Sequence, residues 1–137
     1  MIDDVVLNKK ESVERCIAQI RAYYAEPSEK AFADDQLRQD AIAINLQRAV
    51  EQCLDLANHA VRVLKLGIPK KSSDVFSMLA DRGVIDRPLE KKLVSMVGFR
   101  NVLVHEYQKL EISIMIDVIE NRLDDMIAFT NAVMRTG

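Results

Sequence analysis

The chain has no tryptophan, and only four glycines and three prolines among its 137 residues. A turn-rich sandwich or barrel needs far more of both, so the shortage excludes those folds and favours helices. No apolar run approaches the roughly 20 residues that a membrane-spanning helix requires. The opening MIDDVVLNKK sets acids ahead of lysines, the wrong charge order for a secretory leader. A soluble, cytoplasmic protein is therefore expected. The two cysteines, Cys16 and Cys53, fall at apolar positions without metal-type spacing, so they read as buried thiols in a reducing compartment rather than as a bridge. Missing too are a glycine-rich phosphate loop, an internal repeat, a low-complexity tract and any strand alternation, which together argue against nucleotide-fold enzymes.

What is present is helical periodicity. A length of 137 residues suits one compact domain, 1–137, with a core of ordinary size. Val6, Val13, Cys16, Ile17, Ile20 and Tyr24 recur at steps of three and four, which predicts a helix over 4–25, stopped by Pro27. Asp34 or Asp35 can cap a second helix by accepting its unpaired amides. Its apolar line from Leu37 through Leu46, Val50 and Ala57 to Leu64 runs to a stop at Gly67 and Pro69, on the order of 45 Å at the helical rise. A short third helix, capped by Ser72 or Ser73, carries Val75, Phe76 and Leu79 and ends at Gly83. Asp86, Arg87 and Pro88 open a fourth, with Leu89, Leu93, Met96, Val97 and Val104 as its buried stripe. A single fifth helix over about 111–135 places Ile112, Met115, Ile119, Leu123, Met126 and Val133 inward and Asp117, Glu120, Asp124 and Asp125 outward. The expected fold is all-α, an up-and-down bundle of about five helices with a long second one.

A net charge of −2 argues weakly against nucleic acid, yet the charge is unevenly spread. Residues 62–100 carry a net +5, while the flanks carry −4 and −3. A basic central third is able to track a phosphate backbone, although solvated helix faces give the same composition.

The chain has two histidines, which shortens the search for acid and base groups. His59 continues a stripe of Asn45, Arg48, Gln52 and Asp55 on the second helix. That is either the wet side of the helix or, if turned toward the other histidine, part of a site. His105 lies in GFRNVLVHEY, where an apolar helix bears an arginine, an asparagine, a histidine and a tyrosine within eight positions. Asn101 and His105, four apart, share a face, and Arg100 and Tyr107, seven apart, share another. Arg100 and His105 differ by five residues, about 140° around a straight helix. Either the helix ends near Val104 and lets His105 swing round, or a second copy supplies the complementary groups across a two-fold axis. The small side chains Ala41, Ala43, Ala49, Ala57 and Ala60 either permit such pairing or pack within one chain. A satisfied histidine with an Arg100–Glu106 surface pair, or an anion site without reaction, would also fit these residues.

Arg100, four residues, His105, one residue, Tyr107: this pattern resembles the signature of HEPN-superfamily toxins of the HepT type, found in nucleotidyltransferase/HEPN (MntA/HepT) toxin–antitoxin pairs, and the likeness extends over the entire chain. The resemblance implies a HEPN-like bundle and a metal-independent, cofactor-free endoribonuclease built between two subunits. By that resemblance His105 is the general base toward a ribose 2′-hydroxyl, Arg100 stabilises the charge developing on phosphate, and Asn101 supports either histidine or substrate. Attack by the 2′-hydroxyl restricts the reaction to RNA. The resemblance further implies a small MNT-type nucleotidyltransferase antitoxin that silences the toxin by AMPylating Tyr107. The other reading is a non-catalytic, nucleotide- or partner-binding module that docks on the transferase.

Overall fold

A computed structural model describes residues 1–136. Six helices follow in order: α1 Asp4–Ala25, α2 Gln36–Val63, α3 Asp74–Arg82, α4 Arg87–His105, α5 Ile112–Asn121 and α6 Leu123–Arg135. No strand occurs among the described residues, as the scarcity of glycine and the three-and-four spacing require.

Local chemistry sets most boundaries. Asp3 caps α1 by accepting from the Val6 amide at 2.9 Å, and Asp35 caps α2 through the Arg38 amide at 3.1 Å. Asp86 does the same for α4 at Leu89, with Pro88 in the first turn. α2 stops at Val63, four residues before Gly67. Lys65 adopts the left-handed conformation (φ 57°), and the Leu66 amide reaches back to the Val61 carbonyl, closing the last turn.

Three sequence expectations are corrected here. Neither Ser72 nor Ser73 caps α3 through its side chain; instead Asp74, inside the first turn, accepts from the Lys70 and Lys71 amides and folds the preceding loop over the helix end. Val104 is not part of the buried stripe of α4. That stripe runs through Leu93, Met96, Val97, Phe99 and Leu103, because the true line sits one position earlier at its end. The expected fifth helix is two helices. Arg122 leaves helical geometry (φ −125°), and Asp117 accepts from both Asn121 and Arg122, drawing the two hinge side chains back onto α5.

The core lies where α2 meets α1, α3, α4 and α6. Phe76 of α3 and Phe129 of α6 cross edge to face at 5.4 Å, and Ile17, Ile20, Ile42, Leu46, Leu56 and Met126 fill the space around them. Ala43, Ala49, Ala57 and Ala60 are buried within the chain and Ala41 is half-buried. These alanines let α2 pack closely inside one chain, so they supply no argument for pairing. Cys16 and Cys53 are both buried free thiols on α1 and α2; burial pushes both thiols up from their ordinary value.

Ion pairs fix how the helices run. Lys9 of α1 bonds Gln52 and Asp55 of α2, and Asp3 bonds His59, so α1 and α2 are antiparallel. Arg21 of α1 meets Asp124 at the start of α6. Tyr107, just past α4, meets Asp40 near the start of α2. The end of α4 therefore lies at the same end of the bundle as the start of α2.

Candidate functional site

The polar stripe on α2 is occupied by its neighbour helix. His59 Nε2 lies 2.8 Å from Asp3 Oδ2 with a side chain only 12% exposed, while Gln52 and Asp55 hold Lys9. The bond from His59 holds the Asp3 carboxyl below its usual range, with the Val6 amide adding to it. Asn45 is buried and returns its amide to the Ala41 carbonyl of its own helix. His59 is thus a clasp between two helices, and the stripe is not a second half of the His105 site.

α4 carries the remaining chemistry. It stays helical through His105, its last residue, and only Glu106 departs (φ −141°), its amide still bonding the Val102 carbonyl. The backbone therefore does not swing His105 round. Arg100 and His105 leave the helix about 140° apart, and one chain does not close the angle by ending early. Asn101 and His105 stand one turn apart, both exposed. Arg100 is half-buried, and its Nε is enclosed without a hydrogen-bond partner. No carboxylate pairs with Arg100 among the described residues, and the surface pair with Glu106 does not form. An unneutralised guanidinium, an exposed imidazole and an exposed amide are what an anionic ligand would meet there.

The expectation that Arg100 and Tyr107 share a helical face is not met, because α4 ends two residues before the tyrosine. Tyr107 begins a 3₁₀ turn, Tyr107–Lys109, and turns its half-buried ring toward α2, where its hydroxyl donates to Asp40 Oδ1 at 2.6 Å. Burial and that carboxylate push the phenol well above the usual tyrosine value. Asp40 was not among the candidates from sequence, since 67 residues separate it from Tyr107 and no local spacing links them.

The open side of α4 extends beyond these groups. Val94 (39% exposed), Gly98, Asn101 and His105 follow one stripe with steps of four, three and four, while Val104 (43% exposed), four residues after Arg100, stands on the neighbouring sector. Of the basic central third, Arg87 pairs with Asp81 and Glu90, and Lys92 with Asp125. Arg62, Lys65, Lys70, Lys71, Arg82 and Lys91 have no carboxylate partner among the described residues, so the solvated part of the charge is at the α2–α3 loop and along α3 and α4. No group of three or more His, Cys, Asp or Glu side chains placed to hold a metal occurs among the described residues, and no helix there is long and apolar enough to cross a membrane.

Comparison with known proteins places this geometry in context. The ribonuclease HepT-like family model matches residues 13–133. The chain is 39% identical over 132 residues to the mRNA nuclease HepT of Shewanella oneidensis, covering 96% of this chain and 98% of that protein. It superposes on the tri-AMPylated Shewanella oneidensis HEPN toxin, solved in complex with MNT antitoxin, with a TM-score of 0.92 at 38% identity, over 98% of this chain and 100% of that one. A toxin–antitoxin structure with AMP-PNP gives 0.91 at 38% identity over the same shares. The Bacillus subtilis cytosolic protein of unknown function YutE shares the fold alone, with a TM-score of 0.75 at 14% identity over 93% of this chain and 86% of that one.

Proposed function

This chain belongs to the ribonuclease HepT-like family, and we propose that it is an endoribonuclease toxin, acting as a homodimer and silenced by an MNT-type nucleotidyltransferase that AMPylates Tyr107. The observation that carries the reading is the state of the last two turns of α4: Arg100 unneutralised, Asn101 and His105 exposed, and none of the three engaged by the rest of the chain. Three polar groups on one segment, none of them used by the fold, are free to meet a ligand.

In this mechanism His105 takes the proton from a ribose 2′-hydroxyl, whose oxygen attacks the adjacent phosphorus and expels the 5′-oxygen, leaving a cyclic phosphate. Arg100 binds the phosphate oxygens as negative charge builds on them. Asn101, one turn from His105, orients the ring or the substrate. These groups supply base, cation and positioning from side chains alone, which supports a reaction without a metal. Because one helix aims Arg100 and His105 about 140° apart, the working site combines Arg100 of one copy with the histidine of another across the Val94–Gly98–Val104 face. The leaving 5′-oxygen takes its proton from water.

The relatives support the regulatory half. One is solved AMPylated and bound to an MNT antitoxin. In this chain Tyr107 sits two residues past His105, so an added adenylate brings bulk and negative charge into the neighbourhood of Arg100. The test incubates a mixed RNA with the purified protein in excess chelator, beside a His105→Ala variant. Cleavage by the first alone is expected, with a loss of at least about 10²-fold in the variant. Equal cleavage by both removes His105 from the mechanism, and cleavage by neither supports the non-catalytic module that docks on the transferase.

A further inference from the structure

The tyrosine read above as the AMP acceptor does not stand alone. Its hydroxyl donates to Asp40 Oδ1 at 2.6 Å. The same oxygen accepts from Gln36 Nε2, one turn earlier on α2, at 2.7 Å. The carboxylate is thus aimed from one side by its own helix and from the other by the phenol. Asp40 is exposed, and a cleft of about 330 Å³ lined by Gln36, Gln39, Tyr107, Leu110 and Met115 opens beside the ring. Burial together with the carboxylate keeps the phenol protonated at neutral pH. Spontaneous ionisation therefore supplies almost no phenolate for attack on phosphorus, and the proton has to leave as the new bond forms.

We propose that Asp40 is the group that positions Tyr107 and takes its proton during adenylyl transfer, so that this chain contributes a catalytic carboxylate to its own silencing. The inference rests on Tyr107 being the acceptor. In the step, the phenolic oxygen bonds the α-phosphorus of a nucleoside triphosphate presented by the transferase. The bond from that phosphorus to the bridging β-oxygen breaks, and pyrophosphate departs. The phenolic proton passes to the Asp40 carboxylate and from there to water, which the exposed aspartate contacts. Nothing is oxidised or reduced. Once the ester forms, the oxygen has no hydrogen to donate, and an anionic phosphodiester faces an anionic carboxylate. The contact that held the ring against α2 becomes a repulsion, which favours release of the product segment.

The experiment follows incorporation of α-labelled ATP into the full chain by its cognate MNT-type transferase, for the wild type, Asp40→Asn, Asp40→Glu and Tyr107→Phe. Asp40→Asn keeps the shape but not the basicity, and is expected to slow the initial rate on the order of 10²-fold, with Asp40→Glu recovering much of it. The pH profile separates chemistry from a merely structural role. With a general base taking the proton as the bond forms, the wild-type rate stays nearly flat from about pH 6 to 9, whereas the asparagine variant climbs with pH as phenolate becomes available. A folded Asp40→Asn protein that binds the transferase and is labelled at the wild-type rate with the wild-type profile overturns the role of Asp40, provided Tyr107→Phe remains unlabelled. Labelling of Tyr107→Phe at the wild-type rate overturns the acceptor itself. If Asp40→Asn does not fold, the wild-type profile decides: a flat rate supports the carboxylate, and a climb of about tenfold per pH unit overturns it.

Discussion

Arg100 and His105 stand five residues apart on a helix that keeps its geometry to the histidine itself, so their side chains leave the axis about 140° from one another. A straight helix starts the guanidinium and the imidazole in different sectors, and the composite site proposed above draws on two chains for one phosphate.

That requirement is open to a mixing experiment. Arg100→Ala and His105→Ala, each inactive alone, are expected to recover RNA cleavage when unfolded and refolded together. Random pairing makes half the dimers mixed, and each mixed dimer holds one intact site of two, so the recovered activity approaches roughly a quarter of wild type. No recovery would place both groups in one chain and remove the composite site.

The contact face is testable without touching the reactive groups. Charging it with Val94→Glu and Val104→Glu is expected to yield a monomer in analytical ultracentrifugation and to abolish cleavage. Both side chains are well exposed, so thermal stability of the chain itself shifts by only about 0.5 kcal/mol. A double variant that stays dimeric and active rejects the α4 face as the interface.

The two half-buried phenols predict an alkaline limit. Burial and the Glu120 carboxylate push Tyr24 up to about 12, and Tyr107 is raised by burial and Asp40. A tyrosine whose value rises on folding contributes stability that is complete below the unfolded value near 10 and is lost as pH rises through the folded one. Melting temperature is therefore expected to hold to about pH 9.5 and then fall steadily, with tyrosinate absorbance delayed past the ordinary range. Tyr24→Phe should flatten that fall; an unchanged slope would deny Tyr24 its part in it.

The opposite limit belongs to Asp3 and Asp117. Asp3 is lowered by its bond from His59 and Asp117 by its bond from Arg122. A carboxylate lowered on folding stabilises fully above its unfolded value near 3.9, and loses that contribution as pH falls through the folded value. Asp3→Ala removes both the clasp and the α1 cap, so the variant is expected to melt below the wild type at neutral pH. The gap between the variant and the wild type should narrow below about pH 4 in acid titrations followed by circular dichroism. A gap of constant width down to acid would assign the whole effect to the α1 backbone.

Much of the fold was legible because helix ends are chemical events close in sequence. Asp35, Asp86, Pro88 and Gly83 each act within three or four residues, and the apolar steps of α1, and of α2 from Ile42 to Val61, match their buried lines, whereas Leu37 at the head of the expected α2 line is 82% exposed. The break at Arg122 was not legible, since no proline or glycine marks it and the side chains that hold it gather on Asp117. The site divides the same way. Arg100, Asn101, His105 and Tyr107 crowd one segment and could be picked out from it. Asp40 could not, because its bond to Tyr107 depends on α2 starting where α4 ends.

With His59 tied to Asp3 and His105 left open, the molecule holds two imidazoles in opposite circumstances. In a proton spectrum their ring signals form a built-in pair of reporters: under the proposed function, the ring locked in a carboxylate contact is expected to stay unmoved by added oligonucleotide and the open one to shift. Occupancy of the α4 face becomes readable in solution without isotope, dye or tag.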